Sequence, residues 1–353
     1  MRVSVVKQDL GNIVDGIKKD AHLLSGKTML ISGGEGFLGS YILGAIALLN
    51  KKILKRPCRV ISIDNYITGR KKRFAQEISD SNFTFLERNV IEAFNIEEKI
   101  DYIIHAAGLA SPVYYQKYPI ETIESAIFGA KNLLEIARRK KVKSFLYFSS
   151  SEIYGDPEPN FIPTPEIYRG NVSSIGPRAC YDESKRLGET LCMVYHSRYR
   201  VPVKIVRPFN IYGPGMSPDD YRVIPTFLTS AIGKKPISVY DSGNQTRTFC
   251  YITDAVIGFF KVLMSKQDGE IYNIGNDKNE INMLELARII SSLFQYKINI
   301  RTVAYPNTYP KDEPHRRCPD LTKIKKSLLY SPEISLEQGL KRVIKWYKYE
   351  NKI

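Results

Sequence analysis

Gly33-Gly34-Glu35-Gly36-Phe37-Leu38-Gly39 is the stretch that decides the fold. It follows the short apolar run Thr28 to Ser32, which reads as a buried strand, and it opens a longer run, Phe37 to Leu49, which reads as a helix. Glycines at 33, 36 and 39 give the spacing GxxGxxG. One permits a tight turn, another lets a pyrophosphate approach the backbone, and the third lets helix and strand pack closely. The helix N-terminus adds free N–H groups and a partial positive charge. Strand, glycine turn and helix in this order are the context in which the pattern points to a dinucleotide.

Outward from this turn, Arg59 to Ile63 reads as a second strand that ends at Asp64. A carboxylate there accepts hydrogen bonds from ribose hydroxyls and repels the extra phosphate of NADP, which favours NAD. Arg70, Lys71 and Lys72 follow closely and are cations able to hold a phosphate. Tyr102 to His105 and Ser144 to Ser149 read as further strands, with helical stretches such as Ile120 to Lys140 between them. This alternation predicts an α/β fold, a doubly wound parallel (Rossmann) sheet.

Tyr181-Asp182-Glu183-Ser184-Lys185 sets a tyrosine and a lysine at i and i+4, on one face of a helix. An ammonium and an oxidised nicotinamide beside the phenol favour its phenolate, so its pKa is expected to fall. It can then take a hydroxyl proton while hydride leaves. Ser149, Ser150 and Ser151 end the strand Phe145 to Phe148, and a hydroxyl there can hold the substrate oxygen; in isolation the run also reads as a polar loop.

The organisation follows. Residues 1–26 form an N-terminal extension in which Leu10, Ile13, Val14 and Ile17 fall at helical spacing. Residues 27–207 read as the NAD-binding domain with the catalytic helix. From about 208 the texture changes, with Pro208, Gly213, Pro214, Gly215 and Pro218 close together. Residues 208–353 read mainly as a smaller C-terminal substrate-binding lobe, parts of which can return to the main sheet.

Bulk properties narrow the function classes. The 353 residues are 43% hydrophobic and 25% charged, as in an ordinary globular protein. The longest apolar stretch, Tyr41 to Leu49, is too short to span a bilayer, and the N-terminus lacks the apolar core of a signal peptide, so a cytoplasmic protein is expected. Cys58, Cys180, Cys192, Cys250 and Cys318 are odd in number and widely spaced, which argues for reduced thiols and against zinc or disulfides. The net charge of +15 raises nucleic-acid binding, but the cations are scattered and no such motif appears. A diphosphate substrate explains the charge as well. His105 and His315 read as structural, and no metal site is expected.

The order of GGxGFLG and YxxxK resembles that of the extended short-chain dehydrogenases, the NAD-dependent epimerase/dehydratase family. Five segments are similar, within it, to the UDP-glucuronate decarboxylases (UDP-xylose synthases). They are Asp64-Asn65-Tyr66-Ile67-Thr68-Gly69-Arg70-Lys71, Ser149-Ser150-Ser151-Glu152-Ile153-Tyr154-Gly155-Asp156-Pro157, Gly176-Pro177-Arg178-Ala179-Cys180-Tyr181-Asp182-Glu183-Ser184-Lys185-Arg186, Gln245-Thr246-Arg247-Thr248-Phe249 and Asp312-Glu313-Pro314-His315-Arg316-Arg317-Cys318-Pro319-Asp320.

The resemblance implies NAD held by Gly33, Gly36, Phe37, Leu38, Gly39, Asp64, Asn65, Tyr66, Thr68, Gly69, Arg70, Asn89, Val90 and Ala107, together with Tyr181 and Lys185. It implies a nucleotide sugar, a UDP-sugar, bound by Ser111, Asn210, Arg222, Tyr240 and Arg247. Tyr181 and Lys185 would drive oxidation at sugar carbon 4, with Ser150 and Ser151 beside them and Glu152 and Arg317 serving decarboxylation. It also implies a homodimer in which Ile120 to Lys140 and the helix from Tyr181 to about Arg198 pair with their copies, through apolar positions such as Ile127, Leu134, Leu187 and Leu191. Where the family often carries Lys-Thr-Asn this chain has Glu124-Ser125-Ala126, which sets an acid near the expected sugar pocket; its Gly-Pro-Arg becomes Gly213-Pro214-Gly215, which removes a cation. An epimerase, a 4,6-dehydratase, a carbon-4 dehydrogenase and a non-catalytic NAD-binding regulator are the alternatives. Ser151 in place of the dehydratases' aspartate argues against dehydration.

Overall fold

A computed structural model describes residues 4–71, 73–74, 78–305 and 314–349. Lys72, Asp312 and Glu313, singled out above, lie outside the described residues.

The chain opens with helix α1 (Val5–Ile17), strand β1 (Thr28–Ser32), α2 (Phe37–Lys52), β2 (Arg59–Asp64), β3 (Phe83–Glu87) and β4 (Tyr102–His105). Two short helices, α3 (Pro112–Lys117) and α4 (Pro119–Glu124), lead through a π-helical turn (Ser125–Gly129) into α5 (Ala130–Lys140). Then come β5 (Ser144–Phe148), the long helix α6 (Ala179–Tyr199) and β6 (Val203–Pro208). The remainder comprises β7 (Ile211–Tyr212), α7 (Val223–Ile232), β8 (Ile237–Tyr240), β9 (Thr246–Arg247), β10 (Cys250–Tyr251), α8 (Ile252–Met264) and β11 (Glu270–Ile274). It ends with β12 (Ile281–Asn282), α9 (Met283–Ser292), β13 (Ile300–Val303), β14 (Arg316–Arg317), α10 (Thr322–Leu328) and α11 (Leu336–Tyr349).

Seven strands form one parallel sheet in the order β11-β6-β5-β4-β1-β2-β3. Strand β1 is central, with Leu30 registered against Ile61 on one side and Ile103 on the other. Strands β4 and β5 are buried along their whole length because helices cover both faces. Alternation along β1 serves two cores: Met29 and Ile31 pack with residues of α1, α2 and α8, and Leu30 packs with residues of α5 and α6. Strand β11 lies beyond residue 208 and yet completes the main sheet, so the C-terminal part of the chain is not confined to one lobe. The smaller lobe carries three short pairings, β10-β7, β12-β9-β14 and β13-β8.

The N-terminal helix packs on α2 and α8. Asp9 on its inner face is fully buried, accepting from the Tyr251 hydroxyl at 2.6 Å and from Arg342 Nη1 at 2.8 Å. Desolvation raises its carboxyl to about 6 despite both partners. The ion pair ties the start of the chain to α11, near its end.

Candidate active site

The strand order reverses between β4 and β1, and loops leaving the carboxyl ends of β1, β2, β4, β5 and β6 meet there. Gly33 has φ +76°, a conformation that costs glycine nothing, and its N–H donates to the Ile63 carbonyl at 2.8 Å. A Cβ on Gly39 would sit 2.1 Å from the Gly33 carbonyl oxygen, so α2 and the turn touch backbone to backbone. Gly36 caps α2, whose first N–H groups open toward the cavity wall. Gly33, Gly36, Asp64, Asn65, Thr68, Asn89, Val90 and Ala107 line one cavity. Phe37, Leu38, Gly39 and Arg70 line a second, of about 650 Å³, joined to the first along Gly33, Gly36, Thr68, Ala106 and Gly108. A turn without Cβ atoms, at a helix N-terminus and beside an acid, fits a dinucleotide.

Asp64 is braced from behind. Its carboxylate accepts from Tyr66 N at 2.9 Å and Glu35 N at 3.1 Å, and Gly69 packs so close that a Cβ there would lie 2.7 Å from Oδ1. Burial raises its pKa, against the pull of these N–H donors. Tyr66 and Gly69 line neither cavity; they hold Asp64. Lys71 pairs with Glu87 at 2.6 Å, both side chains exposed.

The large cavity gathers the other candidates: Ser111, Ser150, Ser151, Glu152, Tyr181, Lys185, Asn210, Arg222, Tyr240, Arg247 and Arg317. Tyr181 and Lys185 lie on α6, both buried. The Ser150 hydroxyl is hydrogen-bonded to Tyr181 and accepts from Glu152 N at 3.2 Å, capping the turn that carries the glutamate. Lys185 Nζ donates to the Phe148 carbonyl at 2.8 Å and lies 5.9 Å from the centre of the Tyr181 ring. Burial pushes Tyr181 up, opposed by Ser150, and pushes Lys185 down to about 8. Desolvation disfavours both charged forms.

Glu152 and Arg317 are far apart in sequence and joined in space. Arg317 Nη1 lies 2.7 Å from Oε1 and Nη2 donates to Oε2 at 2.8 Å, a bidentate fork. Arg178 donates to the same Oε2. Arg316, next to Arg317 on β14, points the other way, is exposed and pairs with Glu280. In the register of the small sheet Arg317 stands opposite Arg247, whose guanidinium donates to the Thr246 and Pro314 carbonyls at 2.8 and 2.7 Å. Arg222 forks onto Asp220, and the backbone carbonyl of Asp220 accepts from the Ser111 hydroxyl at 2.7 Å. Asn210 donates to the Thr248 carbonyl at 2.9 Å.

One expectation is corrected. Glu124 lines neither cavity; Glu121 and Ser125, from the same turn of chain, line the smaller one, so no acid from this segment faces the sugar pocket. The Gly215 carbonyl accepts from Arg73, which reaches it from the β2–β3 connection. Sequence reasoning also missed Arg178, Tyr115, Gln245 and Tyr305, all of which line the large cavity. Tyr305 accepts from Gln245 Nε2 at 2.8 Å, and its ring lies 5.3 Å from that of Tyr240. Arg178 and Gln245 stood inside quoted motifs, and that was the available signal. His105 takes no part in this chemistry: it is enclosed between Ser32 Oγ at 2.7 Å and the Ser125 carbonyl at 3.0 Å.

Residues 29–275 match the model of the NAD dependent epimerase/dehydratase family. The chain belongs to this family. It is 39% identical over 338 residues to UDP-glucuronic acid decarboxylase 2 of Arabidopsis thaliana, covering 96% of this chain and 71% of that one. Among solved structures it resembles an epimerase from Methanothermobacter thermautotrophicus, at 26% identity and a TM-score of 0.81, with 96% of each chain covered. It also resembles a UDP-glucuronic acid 4-epimerase from Bacillus cereus, solved with UDP-glucuronic acid and NAD, at 26% identity and a TM-score of 0.74, with 91% of this chain and 99% of that one covered.

Proposed function

We propose that this epimerase/dehydratase family member is an NAD-dependent decarboxylase of a UDP-glucuronate-type nucleotide sugar. The observation that carries the reading is the Arg317–Glu152 fork in the same cavity as Tyr181, Lys185 and Ser150. Gly33, Gly36, Gly39 and Asp64 would hold NAD, which would supply a reversible hydride acceptor for sugar carbon 4. Tyr181 takes the carbon-4 hydroxyl proton, with Ser150 holding the oxygen and Lys185 favouring the phenolate. A ketone at carbon 4 stands beta to the sugar carboxylate. Loss of carbon dioxide from carbon 5 then leaves its electron pair in an enolate, which a proton at carbon 5 quenches. Arg317 is the fork that fits the carboxylate, and Glu152 orients that fork. Arg222 and Arg247 supply cations for the nucleotide diphosphate.

Incubation with NAD and a panel of nucleotide sugars, with products identified by NMR and released carbon dioxide measured, tests the reading. A pentose nucleotide and carbon dioxide are expected from UDP-glucuronate. The likeness to a UDP-glucuronic acid 4-epimerase favours one second reading, carbon-4 inversion with the carboxylate retained. The same panel separates the two, because inversion yields a hexuronate.

We also infer a homodimer built on α4, α5 and α6. Ile120, Phe128, Leu187 and Val194 are 61%, 50%, 49% and 47% exposed, an apolar face on α4, the π-helical turn before α5, and α6. Leu134, expected on this face, is instead fully buried in the core, and Leu191 packs against that core. Five free thiols support a reducing, cytoplasmic setting. No helix among the described residues is long and apolar enough to cross a membrane.

A further inference from the structure

The carboxylate of Glu152, 16% exposed, is shared by two guanidiniums. Arg317 occupies both oxygens from β14. Arg178 donates to Oε2 from the N-cap of α6 and lies 3.5 Å from Asp182 Oδ2 on its other side. Its backbone carbonyl accepts from Tyr181 N at 2.9 Å and Asp182 N at 3.0 Å, so the residue that reaches Glu152 also starts the helix bearing the phenol. Two cations and two acids form one cluster at the cavity wall. A sugar carboxylate that engages the Arg317 fork competes with Glu152 for it. A largely buried glutamate that lost its only cation would be strongly penalised.

We propose that Arg178 is a positioning residue that keeps Glu152 anchored while Arg317 turns to the substrate carboxylate. The proposal rests on the decarboxylase reading above. Arg178 acts through Glu152 and does not itself touch the reacting atoms. Removing it leaves the glutamate and the substrate carboxylate in competition for one guanidinium.

The test compares wild type, Arg178→Ala, Arg178→Lys, Glu152→Ala and the Arg178→Ala/Glu152→Ala double variant, with NAD and UDP-glucuronate, following carbon dioxide release. Arg178→Ala should lower kcat by roughly 10–100-fold, the kinetic equivalent of one lost charge-assisted hydrogen bond. Arg178→Lys should recover part of it. The double variant should be no slower than Glu152→Ala alone, because the two residues act as one unit. Wild-type kcat in Arg178→Ala, or losses that add in full, overturn the proposal. NAD affinity reports folding; should Arg178→Ala lose it, Arg178→Lys carries the same comparison with Glu152→Ala. A wild-type protein that releases no carbon dioxide overturns the decarboxylase reading itself, an outcome distinct from wild-type turnover in the variant.

Discussion

The ring of Tyr115 lies 5.4 Å from that of Tyr181 and within 17° of parallel. Tyr115 comes from α3, after β4, and Tyr181 from α6, so the stack fixes the phenol between two elements. Phenylalanine at 181 keeps the stack and loses only the hydroxyl. Tyr181→Phe is therefore expected to lower turnover by roughly 10²–10⁴-fold while leaving substrate affinity nearly unchanged. Steady-state rates beside calorimetric Kd values check this. Affinity lost in proportion to turnover would contradict the role.

Asp64, held by two backbone N–H groups at the end of β2, sets an acid where the extra phosphate of NADP would add a second negative charge. NAD should bind about tenfold or more tighter than NADP, the effect of about 1.4 kcal/mol of unfavourable charge contact. Titration of both cofactors measures it. Tighter binding of NADP would remove Asp64 from the ribose.

The apolar face on α4, the π-helical turn before α5, and α6 should be covered in solution. Sedimentation at micromolar concentration is expected to show a dimer, and Phe128→Glu combined with Leu187→Glu a monomer. A monomeric wild type sinks the homodimer.

Burial, with Lys185 a lesser cause, pushes His105 down to about 3. Unfolded, its imidazole titrates near about 6.5, so between these values the unfolded chain holds the extra proton. The stability from this group is full above about 6.5 and is lost as pH falls toward 3. Asp9, raised to about 6, acts in the opposite sense: its contribution is full below its unfolded pKa and is lost as pH rises through 6. Going from about pH 7 to about pH 5, His105 alone should cost about 2 kcal/mol. Denaturant melts should show His105→Gln losing less stability than wild type over that window; parallel profiles would contradict this.

The turn Gly33 to Gly39 and the pair Tyr181 and Lys185 were legible in the sequence because each is local: its spacing repeats a helical or strand-to-helix geometry within a few residues. Arg178 was not, because its partner Glu152 lies 26 residues away on a separate turn, and no periodicity reports such a contact. Glu124 misled for a related reason. Glu121 and Ser125, four residues apart, share a helical face and line the smaller cavity while Glu124 does not. Leu134 matched the spacing of an apolar surface stripe, but periodicity alone does not say whether a stripe meets the core or a partner.

The Arg317 fork on Glu152 makes a direct demand on the reaction. Wild type and Arg317→Ala, each given NAD and UDP-glucuronate, are compared for carbon dioxide released per sugar consumed, with the products read by NMR. The wild type should release one carbon dioxide for each pentose nucleotide formed. In Arg317→Ala the oxidation at carbon 4 should survive, and NADH or a keto-sugar nucleotide should accumulate with little carbon dioxide. If the wild type yields only a hexuronate nucleotide, or if Arg317→Ala releases carbon dioxide at the wild-type rate, decarboxylation through this fork is contradicted.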